Sequence, residues 1–224
     1  MIEIIASSLS DAIAIEQAGA DRIELVSALS EGGFTPSIGL VKKIIEQVKI
    51  PTAVMLRPNR SEFVYTAEEI EVLREDALLF EQFGVKIVVM GILAENRLPD
   101  IDIMERILNG TNLELTFHRA IDESADILQS VEILNNYQRV TRILTSGGPG
   151  KATQNLEQLK SILALSNKKI IVGSGVDMLN VNLIQQELQG YNYDLHVGGA
   201  VRGGDVRADV SIAEVEQFVN LVKK

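Results

Sequence analysis

The chain has 224 residues, 46% of them apolar and 23% charged, a composition ordinary for a globular protein long enough to bury its own core. It contains no cysteine, which excludes disulfides, thiolate metal sites, iron–sulfur clusters and a thiol nucleophile. With 21 basic residues against 31 acidic ones the formal net charge is −10; such a surface repels phosphate backbones and anionic membranes, so neither nucleic acid nor membrane is an expected partner.

Taken in chain order, short β-branched runs alternate with stretches whose apolar residues lie three and four apart. The first run, Ile2–Ala6, lies in MIEIIASS, which has no basic lead and carries Glu3 inside its apolar residues. It reads as a strand rather than a signal peptide and sets the expectation of a cytoplasmic protein. Ser8 or Ser10 can cap a helix over Leu9–Ala18, and Gly19 stands where it should stop. The strand Arg22–Val26 runs into the glycine-containing loop Ser27–Pro36, and Pro36 stands near the start of the next helix, where a missing N–H costs nothing. The strand Thr52–Leu56 precedes a long loop, Arg57–Tyr65. Thr66 and Glu69 have capping-box spacing for a helix over Ala67–Phe83, ended by Gly84. The strand Lys86–Met90 opens the longest apolar run, Ile87–Ala94, far too short to span a bilayer. Strands Asn112–Phe117, Val140–Leu144, Lys169–Val172 and Asp194–Val197 follow, interleaved with helices Ile127–Asn135, Leu156–Leu165 and Met178–Leu188. A last helix covers Ile212–Val222.

Eight strand–helix units predict an α/β fold, a (β/α)8 barrel, as a single domain over 1–224. The size is lean for a fold that typically needs ~250 residues. The rival, an open doubly wound sheet, lacks a G-x-G-x-x-G between the first strand and helix, and nothing in the composition divides the chain.

Buried parallel strands normally read as continuous apolar runs, yet here polar residues alternate with apolar ones. Side chains alternate faces with period two. If the apolar set meets the helices, Glu3, Arg22, Glu24, Arg57, Glu114, Thr116, His118 and His196 point into the barrel. Charges there must be paired. One account is an internal salt-bridge network, strongest for Glu3, Arg22 and Glu114 early in their strands. The other is a site at the carboxyl ends of the strands, where this architecture places its chemistry. Arg57, His118, Arg119 and His196 fall at that mouth. The loops there are rich in small polar residues and glycine: Ser27 after the second strand, Ser146 and Gly147 after the sixth, Gly173, Ser174 and Gly175 after the seventh, Gly198 after the eighth. Glycines let backbone N–H groups approach an anion. Arg57 and Arg60 could bind carboxylate or phosphate, although Arg60 pairing with Glu62 in solvent is the plainer account.

The segments AGADRIELVSALSEGGFTPS (18–37), VMLRP with EFVYT (54–66), LTFHRAID (115–122) and RILTSGG (142–148), with His196, resemble the CutC family, named for copper homeostasis. The resemblance spans residues 3 to about 200 and implies a (β/α)8 barrel, a cytoplasmic location and a homodimer or larger homo-oligomer. It also implies copper as the cofactor or cargo. Many members carry cysteine on the first two strands where this chain has Ile5 and Val26. Thiolates are the ligands Cu(I) prefers, so copper binding by that route loses its donors, leaving Met55, Met90, His118 and His196.

Two functions are therefore expected in competition. The first is copper binding or handling. The second is an enzyme acting on a small anionic or phosphorylated molecule, with Arg57, Arg119 and the loop groups Ser27, Thr116, Ser146, Gly147, Gly173, Ser174, Gly175 and Gly198 as the binding set. In that reading His118 or His196 is the general acid or base, since histidine titrates near neutrality. Glu24 or Asp122 orients a histidine or takes a proton.

Overall fold

A computed structural model describes residues 1–60 and 63–223. Its strands are β1 (Ile2–Ala6), β2 (Arg22–Leu25), β3 (Thr52–Met55), β4 (Ile87–Met90), β5 (Glu114–Phe117), β6 (Val140–Thr145), β7 (Lys169–Val172) and β8 (Tyr193–Val197). Each pairs in parallel with the next and β8 returns to β1, closing the barrel. The helices are α1 (Leu9–Gln17), α2 (Ile38–Gln47), α3 (Ala67–Gln82), α4 (Ile101–Leu108), α5 (Ile127–Asn135), α6 (Leu156–Leu165), α7 (Val181–Glu187) and α8 (Ile212–Val222). None of them is long and apolar enough to cross a membrane.

Local chemistry sets the ends. Ser8 caps α1 by accepting from the Asp11 N–H, and Thr66 with Glu69 forms the full capping box of α3. Gly19 and Gly84 follow α1 and α3 with φ of 84° and 90°, which only glycine adopts without steric cost. Helix α4 escapes the sequence pattern. It has only eight residues, about two turns, too short for a 3.6-residue period to stand out, and its boundary is set by the side chain of Asp100.

Strand alternation sorts the side chains into two cores. Ile2, Ile4, Ile23, Leu25, Val54, Val88, Leu115 and Phe117 join the helices in one continuous cluster. Ile5, Val26, Ala53, Met55, Ile87 and Val89 form a second, separate cluster, the apolar part of the barrel interior. The register places Glu3 beside both Arg22 and His196, and Ile5 beside Glu24. The interior is therefore divided, polar across β8, β1 and β2 and greasy across β3 and β4.

Candidate functional site

At the amino ends of the strands the interior charges are matched. Arg22 Nε donates to Glu3 Oε2 at 2.5 Å, and Arg22 Nη2 lies 3.6 Å from Asp194 Oδ2. Asp194 also meets the amino-terminal nitrogen at 3.3 Å and Lys169 Nζ at 3.5 Å. Glu114, exposed at the rim, pairs with Arg142 at 3.1 Å. Glu3 and Arg22 form the internal network expected of them, whereas Glu114, expected to point inward, is exposed, because it opens β5 at the rim, where solvent and Arg142 reach it. Arg22 is not neutralised by direct pairing with Glu24, as the alternation of β2 alone allowed; Glu3 and Asp194 do that work.

One layer toward the mouth the same network changes character. Glu3 Oε1 lies 2.8 Å from His196 Nδ1, and His196 Nε2 lies 3.8 Å from Glu24 Oε2. Burial alone would protonate Glu3, but the His196 hydrogen bond and Arg22 outweigh it and hold Glu3 down to about 2. Glu24 lacks such help. Burial, with the neighbouring Glu3 charge, outweighs His196 and pushes Glu24 up to about 7. Burial disfavours the imidazolium of His196, yet Glu24 and Glu3 together raise its pKa. Among the described residues Glu24 Oε1 has no hydrogen-bond partner.

Above this floor opens a cavity of about 580 Å³. Of the residues expected at the mouth, Glu24, Arg57, His118, Arg119, Ser174, Gly175, His196 and Gly198 line it, beside Met55 and Phe63. Arg57 follows β3. Its Nη1 donates to the carbonyls of Gly32 and Gly33 at 3.3 and 3.4 Å, and its guanidinium lies 4.9 Å from the ring centre of Phe63 and 5.6 Å from that of Phe34. Cation–π contact holds the side chain in place, but among the described residues no carboxylate lies within ion-pair reach of it.

His118 follows β5, with its ring edge-on to Phe63 at 5.0 Å. Its Nδ1 accepts from the Ala120 N–H at 3.2 Å, and the bare Cα of Gly91 makes room for the ring, since a Cβ there would stand 2.5 Å from Nδ1. Burial and the Arg57 charge drive its pKa down to about 3. Of the two histidines expected to move protons, His118 is thus a fixed neutral donor and His196 is the titrating one.

The remaining expected site residues do different work. Ser146 and Gly147 lie outside the cavity lining. Asp122 accepts from the Ser146 N–H and hydroxyl, the Thr145 hydroxyl and Arg119 Nε, so it builds the loop after β6 instead of orienting a histidine. Gly147, with φ 81°, donates its N–H to Thr145 Oγ1. Ser27 pins the loop after β2 by donating to the Thr35 carbonyl at 2.9 Å. Thr116 is buried with its hydroxyl unpartnered. Gly173 backs His196, whose Cβ would lie 3.4 Å from an added methyl. Arg60 meets Glu31 at 3.2 Å; the expected partner Glu62 lies outside the described residues. Arg202, between the glycine pairs after β8, reaches back to Asp11 at 2.8 Å and to the Ile5 carbonyl at 2.9 Å, tying that loop to α1. Phe63 and Phe34 carried no sequence signal beyond apolar residues in loops. Glu3 did carry one, a charge inside an apolar strand.

The chain is a closed (β/α)8 barrel with a charged cavity at the carboxyl ends of its strands. The family model described as "CutC family" matches residues 1–199. The human copper homeostasis protein cutC homolog is 36% identical over 191 residues, 85% of this chain and 69% of that protein. A CutC family protein of Salmonella paratyphi B is 34% identical over 230 residues, 97% of this chain and 91% of that one. The crystal structure of a CutC protein from Streptococcus agalactiae superposes with a TM-score of 0.79 at 31% identity, covering 88% of this chain and 97% of that chain. The chain belongs to the CutC family.

The donors present test whether copper fits. Among the described residues the group able to hold an ion is Glu3, Glu24 and His196, whose ligand atoms lie within 4.8 Å of one another. It offers carboxylate oxygen and imidazole nitrogen but no sulfur, and Glu3 is engaged by Arg22 and His196. Cu(I) prefers thiolate and thioether. Ile5 and Val26 pack with Met55 in the apolar interior, and Met90 lies in the outer core. These residues do not fit Cu(I).

Proposed function

We propose that this CutC family protein is an enzyme that moves a proton on a small anionic substrate held at the barrel mouth. The observation that carries the reading is the array Glu3–His196–Glu24, which ends in two cavity-lining groups 3.8 Å apart. Glu3 fixes the Nδ1–H tautomer of His196 and steadies its imidazolium, leaving Nε2 to accept or return a proton. Glu24, pushed up to about 7 by burial, and His196, whose pKa its carboxylate neighbours raise, are coupled and can hold one proton between them. Arg57 supplies the countercharge that the substrate meets. A cytoplasmic homo-oligomer, expected from the family resemblance, accords with this reading.

Copper homeostasis is the role in the names of the relatives. Cu(I) binding here would need donors that this chain does not bring together, so the proton-transfer reading is preferred.

The test is solvent exchange. The protein is incubated in D₂O with small carboxylates and phosphorylated compounds, and substrate deuteration is followed by NMR. Exchange into at least one probe, abolished in His196→Gln, is expected. No exchange into any probe, or exchange undiminished in His196→Gln, overturns the proposal.

A further inference from the structure

The charge balance of the cavity narrows the ligand class. Three arginines line it: Arg57, Arg60 and Arg119. Arg60 has Glu31 at 3.2 Å, and Arg119 has Asp122 at 2.9 Å. Arg57 is the most buried of the three, at 7% exposure, and among the described residues it faces no carboxylate. A buried charge without a partner is costly, so one negative charge is wanting at this place.

The geometry of the free donors says more. The carbonyls of Gly32 and Gly33 take Nη1 of Arg57, and its Nε has no acceptor among the described residues. The Nε–Nη2 edge is the fork that matches the two oxygens of a planar carboxylate. Beside it stands His118, packed against the same Phe63 ring. Because Nδ1 accepts from the Ala120 N–H, the ring proton sits on Nε2, and that atom also lacks a partner. Arg22 and Arg202 also carry unpartnered buried nitrogens, but each pairs with a carboxylate, at 2.5 and 2.8 Å. At Arg57 and His118 two unpartnered donors line one cavity with no carboxylate in ion-pair reach of Arg57 among the described residues, an arrangement that an oxygen ligand would complete. Both are sealed against Phe63, so an entering ligand takes over part of that ring's contact.

We propose that Arg57 and His118 form a carboxylate subsite, in which the Nε–Nη2 edge of Arg57 grips both oxygens of a small monocarboxylate and His118 Nε2–H donates to a ligand oxygen. This rests on the reading of a small anionic substrate and specifies it. A phosphate dianion matches the site less well. Its second charge meets the acids Glu31, Glu123 and Asp177, which also line the cavity. The carboxylate end sits at β3 and β5, while Glu24 and His196 meet the rest of the ligand from β2 and β8.

The experiment is calorimetric titration of the full chain with acetate, glycolate, pyruvate and inorganic phosphate at matched ionic strength. Saturable binding of a carboxylate at least about tenfold tighter than phosphate is expected, with a loss of about tenfold or more in Arg57→Gln. Arg57→Lys, which keeps the charge but not the fork, should lose most of the preference for carboxylate over phosphate. Phosphate binding with no carboxylate binding overturns the subsite and leaves the small-anion reading standing. Binding of neither by wild-type protein, a comparison that needs no variant to fold, overturns both. Carboxylate binding unchanged in both Arg57 variants overturns the assignment to this arginine.

Discussion

Two arginines stand inside this barrel, and their surroundings differ. Arg22, at the amino ends of the strands, is 1% exposed and touches two carboxylates. Arg57, at the carboxyl ends, is 7% exposed and touches backbone carbonyls and aromatic rings but, among the described residues, no carboxylate. The charge of the first is balanced by the protein, although its two terminal guanidinium nitrogens make no hydrogen bond among the described residues. The charge of the second is not balanced by any carboxylate among the described residues. The carboxylates follow the same gradient: Glu3 is held down to about 2 by His196 and Arg22 against burial, while Glu24, one layer higher, is pushed up to about 7 by burial. On the proposed reading, stability and chemistry occupy successive layers of one interior.

The comparison can be broken from its lower end first. Arg22→Leu leaves Glu3 and Asp194 buried without their shared cation and should cost ~3–5 kcal/mol of unfolding free energy in urea. A cost near that of a surface change would mean the lower layer is not a structural network. Asp122→Ala removes the acceptor of five hydrogen-bonding groups and should cost ~2–3 kcal/mol. It should also free the loop after β6, seen as faster amide exchange at Ser146 and Gly147.

A pH series sharpens the contrast between the two glutamates. Glu24 is raised above its unfolded value of 4.5, to about 7, so it contributes stability fully present below 4.5 and lost as pH rises through 7. The raised pKa of His196 acts in the same direction. Glu3, lowered to about 2, contributes stability present above 4.5 and lost as pH falls toward 2. Unfolding midpoints should therefore decline from about pH 5 to about pH 8 in wild type, and Glu24→Gln should flatten that decline. A wild-type curve that rises over this window would contradict the arrangement.

The smallest effects on stability are expected at the mouth. Arg57→Gln should change unfolding free energy by less than ~1 kcal/mol while weakening anion binding about tenfold or more, because no charged partner is left behind. Arg60→Ala, at an exposed pair, should change it by under ~0.5 kcal/mol. If Arg57→Gln instead unfolds the chain, Arg57 belongs to the structural layer with Arg22.

The sequence by itself determined the architecture and much of the site's membership. Period-two alternation in RIEL and DLHV assigns Arg22, Glu24 and His196 to the barrel interior, because a strand has only two faces. The position of a residue along its strand then tells mouth from base, which is why Arg57, His118 and His196 were legible as one constellation. What the tertiary structure alone decided is who partners whom. That Glu3 rather than Asp122 orients a histidine depends on β8 closing beside β1, 193 positions away in the chain. That Ser146 and Gly147 serve a loop, and that His118 is a neutral donor rather than a base, depend on a buried carboxylate and an N–H supplied by folding. Pattern is local, but charge and hydrogen-bond balance inside a closed barrel is set by neighbours that only chain closure brings together.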